Sequence, residues 1–114
     1  MGLVRVAGVA DVPPGRTVFV TVQSTPVLIV NAEGRFFALH GICPHRNNPL
    51  EGATVLGHLV DCPWHHFQYD VRTGANHYPR NVYPDDMPQL EAQIRPLRTY
   101  PLVVRDQHIL VDLP

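Results

Sequence analysis

Between positions 43 and 65 the chain reads CPHRNNPLEGATVLGHLVDCPWH. Both cysteines of the protein lie in this stretch, and each is followed closely by a histidine: Cys43-Pro44-His45 and Cys62-Pro63-Trp64-His65, with sixteen residues between His45 and Cys62. Seven histidines in 114 residues put His at a given offset from a given cysteine about one time in sixteen, so both pairs together are roughly a one-in-260 coincidence. A disulfide between Cys43 and Cys62 leaves the paired histidines and the proline after each cysteine without a reason, and a reducing compartment disfavours it.

Two thiolates and two imidazoles suit two kinds of metal site. One is a closed tetrahedral Cys2His2 zinc, on which all four side chains converge. The other is a binuclear [2Fe-2S] cluster, with two cysteines on one iron and two histidines on the other. Zinc fingers usually pair Cys with Cys in one short loop and His with His elsewhere. Here each loop supplies one of each, which fits two loops gripping opposite sides of a two-iron group.

Outward from this stretch the chain reads as all-β. Leu3 to Val6, Thr17 to Val22, Val27 to Val30 and Arg35 to Leu39 are short runs rich in β-branched and aromatic residues, punctuated by Pro13-Pro14-Gly15 and Glu33-Gly34. Near the other end, Leu102 to Arg105 and His108 to Val111 flank Asp106-Gln107 as a closing hairpin. The ends therefore build the sheets. The middle, from about His40 to Pro96, breaks into loops that hold both cysteines, most of the histidines and seven of the twelve prolines. The one candidate helix is Asp85 to Ile94, limited by Pro88 to a turn or two. The expectation is a single domain over 1–114, with its metal-binding part at about 40–80.

Composition narrows the partners. Nine arginines, no lysine and ten acidic residues give a formal charge of -1, without the basic footprint of a nucleic-acid binder. No apolar run approaches the length of a membrane span, and Met1 to Ala10 carries Arg5 and Gly8 where a secretory signal needs an unbroken apolar stretch. Val6 stands where a myristoylation signal requires Ser or Thr. A soluble, cytoplasmic protein is expected.

Cys43-Pro44-His45 and Cys62-Pro63-Trp64-His65, with their sixteen-residue gap, resemble the Rieske motif, and Tyr69-Asp70-Val71-Arg72-Thr73-Gly74 is similar to the segment after the second loop in Rieske-type ferredoxins. Asn31-Ala32-Glu33-Gly34 and the Leu110-Val111-Asp112-Leu113 ending extend the likeness over the whole chain. The resemblance implies the Rieske fold, an antiparallel β-sandwich with a loop-rich cluster-binding subdomain. It implies one [2Fe-2S] cluster, with Cys43 and Cys62 on the inner iron and His45 and His65 on the outer iron near the surface.

Respiratory and photosynthetic Rieske proteins typically carry two further cysteines and an anchor or export signal, so the likeness is to the soluble, oxygenase-associated branch. It implies a one-electron carrier, not itself an enzyme, that passes electrons from a ferredoxin reductase to a terminal oxygenase such as a ring-hydroxylating dioxygenase. The alternatives are a small subunit of a larger reductase, such as a nitrite reductase, and a zinc-stabilised structural domain. High-potential members of the family place a Ser two residues after the second histidine and a Tyr four after it, both donating to the cluster. Here Phe67 replaces the Ser and Tyr69 keeps the Tyr, which implies a low potential raised somewhat by one remaining donor. Trp64 is expected to shield the cluster or simply to pack. His66 reads as a surface residue that could take part in docking, and His40, His58, His77 and His108 as surface or loop histidines. Tyr78-Pro79 resembles the proline loop that covers the cluster. Residues 80–96 read as a sheet-edge cap or a docking flap.

Overall fold

The computed structural model describes residues 2–43, 48–64, 66–78 and 95–114. Its strands are β1 (Gly2–Gly8), β2 (Thr17–Val22), β3 (Thr25–Ala32), β4 (Arg35–His40), β5 (Ile42–Cys43), β6 (Asn48–Pro49), β7 (Thr54–Leu56), β8 (Leu59–Asp61), β9 (Gln68–Asp70), β10 (Asn76–Tyr78), β11 (Thr99–Tyr100), β12 (Leu102–Arg105) and β13 (His108–Leu113). All pairings are antiparallel. The strands form a central sheet β11-β4-β3-β2, an outer sheet β1-β13-β12, a meander β10-β9-β8-β7 and the small pair β5-β6. The helix expected at Asp85 to Ile94 lies outside the described residues, as does Pro79 of the expected proline loop. A short 3-10 turn at Val9–Asp11, held by the Gly8 N–H donating to Asp11 Oδ2 (2.9 Å), had no counterpart in the sequence pattern.

The unbroken apolar run Val27-Leu28-Ile29-Val30 explains the layering. A strand covered on one face alternates apolar and polar, whereas one covered on both faces is apolar throughout. All four residues of the run have no solvent exposure. Val27 and Ile29 join one core with Val12, Ala38, Tyr100, Ile109, Val111 and Leu113, against the outer sheet. Leu28, Val30 and Ala32 join a second core with Leu39, Cys43, Leu50, Ala53, Val60, Cys62, Tyr69, Val71 and Leu97, against the meander. The central sheet is thus a wall between two interiors, and both cysteines belong to the second.

Three two-residue hairpins make this register. Gln23-Ser24, Glu33-Gly34 and Asp106-Gln107 all hold positive φ at both positions, the left-handed geometry that matches strand twist. Asn31, buried beside the second of them, donates through Nδ2 to the Val12 carbonyl (2.8 Å) and accepts at Oδ1 from the Gly34 N–H (2.8 Å). Both arms of its amide are used, so its burial leaves no unmet polar demand there.

Gly41 is where the chain leaves the central sheet for the strand that carries Cys43. A Cβ at this position would lie 2.8 Å from Phe19 Cε2 and 3.0 Å from the Pro26 carbonyl carbon. Its N–H donates to Pro26 O (2.9 Å) and its own carbonyl accepts from Leu50 N–H (2.8 Å). The close approach permitted by a missing side chain sets the strand that carries Cys43 tight against the wall.

Candidate metal centre

Cys43 ends β5 and pairs with Asn48 of β6, so the first loop leaves and returns across a two-residue ladder. Cys62 follows β8 directly. Its N–H donates to the Phe67 carbonyl (2.8 Å), and its carbonyl accepts from His66 N–H (3.0 Å), closing the second loop at its base. Both thiols are fully buried in one core, which takes Leu28 and Leu39 from the wall and Val60 and Tyr69 from the meander. Neither takes part in a disulfide.

The Tyr69 hydroxyl lies 3.5 Å from Cys43 Sγ. Burial above all, and then this sulfur contact, push the Tyr69 phenol far above its ordinary range, so the group stays an O–H and its proton is available to the sulfur. Tyr69 is itself wholly buried, held between Val60 on β8 and Asn76 on β10 by its place in the meander.

Cys43 and Cys62, nineteen positions apart, share one buried cluster, as the motif requires. His45 and His65 lie outside the described residues. Among the described residues, no group of three or more His, Cys, Asp or Glu side chains could hold a metal ion. The donor chemistry of the two described cysteines fits the expected group. A thiolate without a cation is costly in a dry apolar core, whereas one ligated to iron and offered an O–H donor is not.

The other histidines are partly as expected. His58 Nε2 lies 3.3 Å from Glu33 Oε1, and His77 is exposed. His40 and His108 correct the reading of surface or loop residues, because they belong to β4 and β13 and are half-buried. His40 Nδ1 shares a hydrogen bond with the Tyr100 hydroxyl (3.1 Å), and burial, helped by Arg98, holds its pKa below the usual imidazole value. Nearby, Arg72 grips both oxygens of Asp70 (3.1 and 2.8 Å), which lowers the carboxyl's pKa.

Two contacts at the second loop escaped the sequence reading. Trp64 is 55% exposed and therefore does not pack in the core; its indole N–H donates to the Pro49 carbonyl (3.0 Å), tying the second loop to the strand that ends the first. His66 is exposed, as expected, yet its imidazole is bound to Asp61 (2.9 Å). Neither bond has a spacing signature, since the first depends on which segments meet and the second on how the loop after Cys62 closes.

Two buried cysteines, one ending β5 and one directly after β8 of the meander, thus share one core against the wall of the central sheet. The chain belongs to the Rieske [2Fe-2S] domain family, whose model matches residues 2–101. It is 33% identical over 113 residues to the biphenyl dioxygenase ferredoxin subunit of Pseudomonas sp. strain KKS102, covering 98% of this chain and 93% of that one. It is likewise 33% identical to the ferredoxin component of the alkene monooxygenase system of Xanthobacter autotrophicus, covering 95% of this chain and 79% of that one. The solved ferredoxin of carbazole 1,9a-dioxygenase from Nocardioides aromaticivorans IC177 superposes with a TM-score of 0.79 at 27% identity, covering 97% of both chains.

Proposed function

We propose that this chain is a one-electron carrier, the Rieske-type ferredoxin that takes electrons from a reductase and delivers them to a terminal oxygenase such as a ring-hydroxylating dioxygenase. The observation that carries the reading is the end-to-end likeness to an oxygenase ferredoxin, with both family cysteines buried together under the two loops. Residues 1–114 act as one domain, with the part from about 40 to 80 holding the cluster. Cys43 and Cys62 would hold one iron, and His45 and His65 the other. When bound, the cluster supplies a couple that accepts and releases one electron without any bond to substrate.

The protein's own residues keep that exchange clean. The apolar core around Cys43 and Cys62 excludes water from the sulfurs, and the Tyr69 O–H offers the Cys43 sulfur a donor that favours the more negative, reduced state. Phe67, packed against the same core, offers no hydroxyl. Each ligand histidine uses one ring nitrogen for iron and leaves the other as a donor toward solvent or a partner. No helix among the described residues is long and apolar enough to cross a membrane, and the place of work is the cytoplasm.

The test is an anaerobic preparation analysed for iron and acid-labile sulfide, with visible absorption and EPR spectra, followed by reconstitution with a reductase and a ring-hydroxylating oxygenase. Equal iron and sulfide, an axial or rhombic signal on one-electron reduction, and product formation that depends on this chain are expected. Zinc in place of iron, or turnover that proceeds equally well without the chain, would exclude the carrier role.

A further inference from the structure

Position 65 lies between two anchored neighbours. On one side, the Trp64 indole N–H donates to Pro49 O (3.0 Å). On the other, His66 is held twice: its backbone N–H donates to Cys62 O (3.0 Å), and its Nδ1–H to Asp61 Oδ1 (2.9 Å). The second oxygen of Asp61 accepts from Gln68 Nε2–H (3.0 Å). One carboxylate, on the residue immediately before Cys62, therefore reaches across the base of the loop and binds the residues at 66 and 68 on its returning side.

The backbone at His66 makes this contact conspicuous. His66 holds φ +58, a left-handed conformation that a side chain adopts at a cost and glycine adopts freely. Its imidazole is 76% exposed, so no apolar packing offsets that cost. The side-chain contact that the structure gives it is the bond to Asp61, and Asp61 itself is only 13% exposed. A mostly buried carboxylate with both oxygens engaged by two residues of one loop is a built feature of that loop.

We propose that Asp61 is a positioning residue, and that its clamp on His66 and Gln68 holds the second ligand loop in the shape that keeps the ligand at position 65 on the cluster. The inference rests on the proposed assignment of His65 as a ligand. Residues that orient a metal ligand without touching the metal commonly change metal retention by about 10- to 100-fold when removed. Asn at this position can still accept from His66 Nδ1–H through its oxygen and, with the Gln68 amide turned over, donate its Nδ2–H to Gln68 Oε1, so an amide of the same shape should serve nearly as well as the carboxylate.

The full-length protein, isolated with its cluster, is compared with Asp61→Ala, Asp61→Asn and His66→Gly. The readouts are the rate at which visible absorption bleaches under excess chelator, the EPR signal of the reduced protein, and the far-UV circular dichroism spectrum. His66→Gly is informative because it removes the His66 arm of the clamp while relieving the left-handed backbone, so a fault in folding is not expected to explain its effect. Bleaching about tenfold faster in Asp61→Ala and His66→Gly, with a broadened EPR signal and unchanged circular dichroism, and Asp61→Asn within about threefold of the parent, supports the clamp. Bleaching within about twofold of the parent in both Asp61→Ala and His66→Gly overturns it, and so does Asp61→Asn bleaching as fast as Asp61→Ala. A parent protein that contains no iron and sulfide overturns the ligand assignment and the clamp together, which separates the two failures.

Discussion

The Tyr69 hydroxyl is 3.5 Å from a buried sulfur, and a single oxygen atom there should have a measurable effect on the potential of the proposed cluster. Reduction adds negative charge to the sulfurs, so a donor stabilises the reduced state more than the oxidised one and raises the potential. Tyr69→Phe keeps the ring in its place and removes only the donor. At about 1 kcal/mol for one hydrogen bond, the potential should fall by about 40 mV for a one-electron couple, measured by protein-film voltammetry. An unchanged potential would leave Tyr69 as a packing residue. His40 provides the pH dependence. Its folded-state pKa is lowered, chiefly by burial and then by Arg98, so below the ordinary value of about 6.5 the unfolded chain takes up a proton that the folded chain resists. That contribution is fully present above pH ~6.5 and declines as the pH falls from there toward the folded pKa. Urea midpoints should therefore fall on acidification through this window, and His40→Gln should flatten the decline. At this scale the fixed offsets of the motif single out Cys43, His45, Cys62 and His65, and the structure brings the two cysteines into one core, while the two histidines lie outside the described residues. The Trp64–Pro49 bond was not legible because it depends on where two segments meet, and the Asp61–His66 bond because it depends on how one loop closes on itself.

The strands were readable where burial imposes a pattern. Thr17 to Val22 and Leu102 to Arg105 coincide with β2 and β12, and the four-residue apolar run sits inside β3. Turns were readable only where residue preference makes them: Glu33-Gly34 carries a glycine, whereas Gln23-Ser24 has none and is forced into left-handed geometry by the two strands it joins. The short strands around the site were not readable at all, since β5 and β6 are two residues each, too short to carry an alternating pattern. Gly74 is the most exacting connector. It holds φ +82, its N–H donates to Asp70 O (2.7 Å), its carbonyl accepts from Leu97 N–H (2.8 Å), and a Cβ added there would collide with the Leu97 carbonyl oxygen. Gly74→Ala must move one of two backbones in addition to straining its own, so a loss of about 3 kcal/mol or more in urea unfolding is expected. Gly52→Ala, also at positive φ but with open space around its Cβ, should lose only about 1 kcal/mol and serves as the comparison.

At the scale of the molecule, the described residues form two interiors on either side of one sheet, and these should answer differently to metal removal. Cys43 and Cys62 belong to the interior shared with Leu50, Val60, Tyr69 and Val71, so loss of the proposed cluster would leave two thiols without the group that joins them. The opposite interior, built on Ile109, Val111 and Leu113, contains neither cysteine. Chelation under reducing conditions should accelerate amide exchange by about tenfold or more across β5, β8 and β9, while β1 and β13 keep most of their protection. Uniform loss of protection would mean that the two halves unfold as one.

Along β3, adjacent residues serve different interiors: Leu28 and Val30 press toward the thiols, Val27 and Ile29 toward the outer sheet. Evolutionary drift in such a strand should be interleaved, with compensating changes linking every second position and neighbours varying independently. The sandwich half of the protein could then be recombined between related carriers, leaving the electrochemistry of the other half where it was.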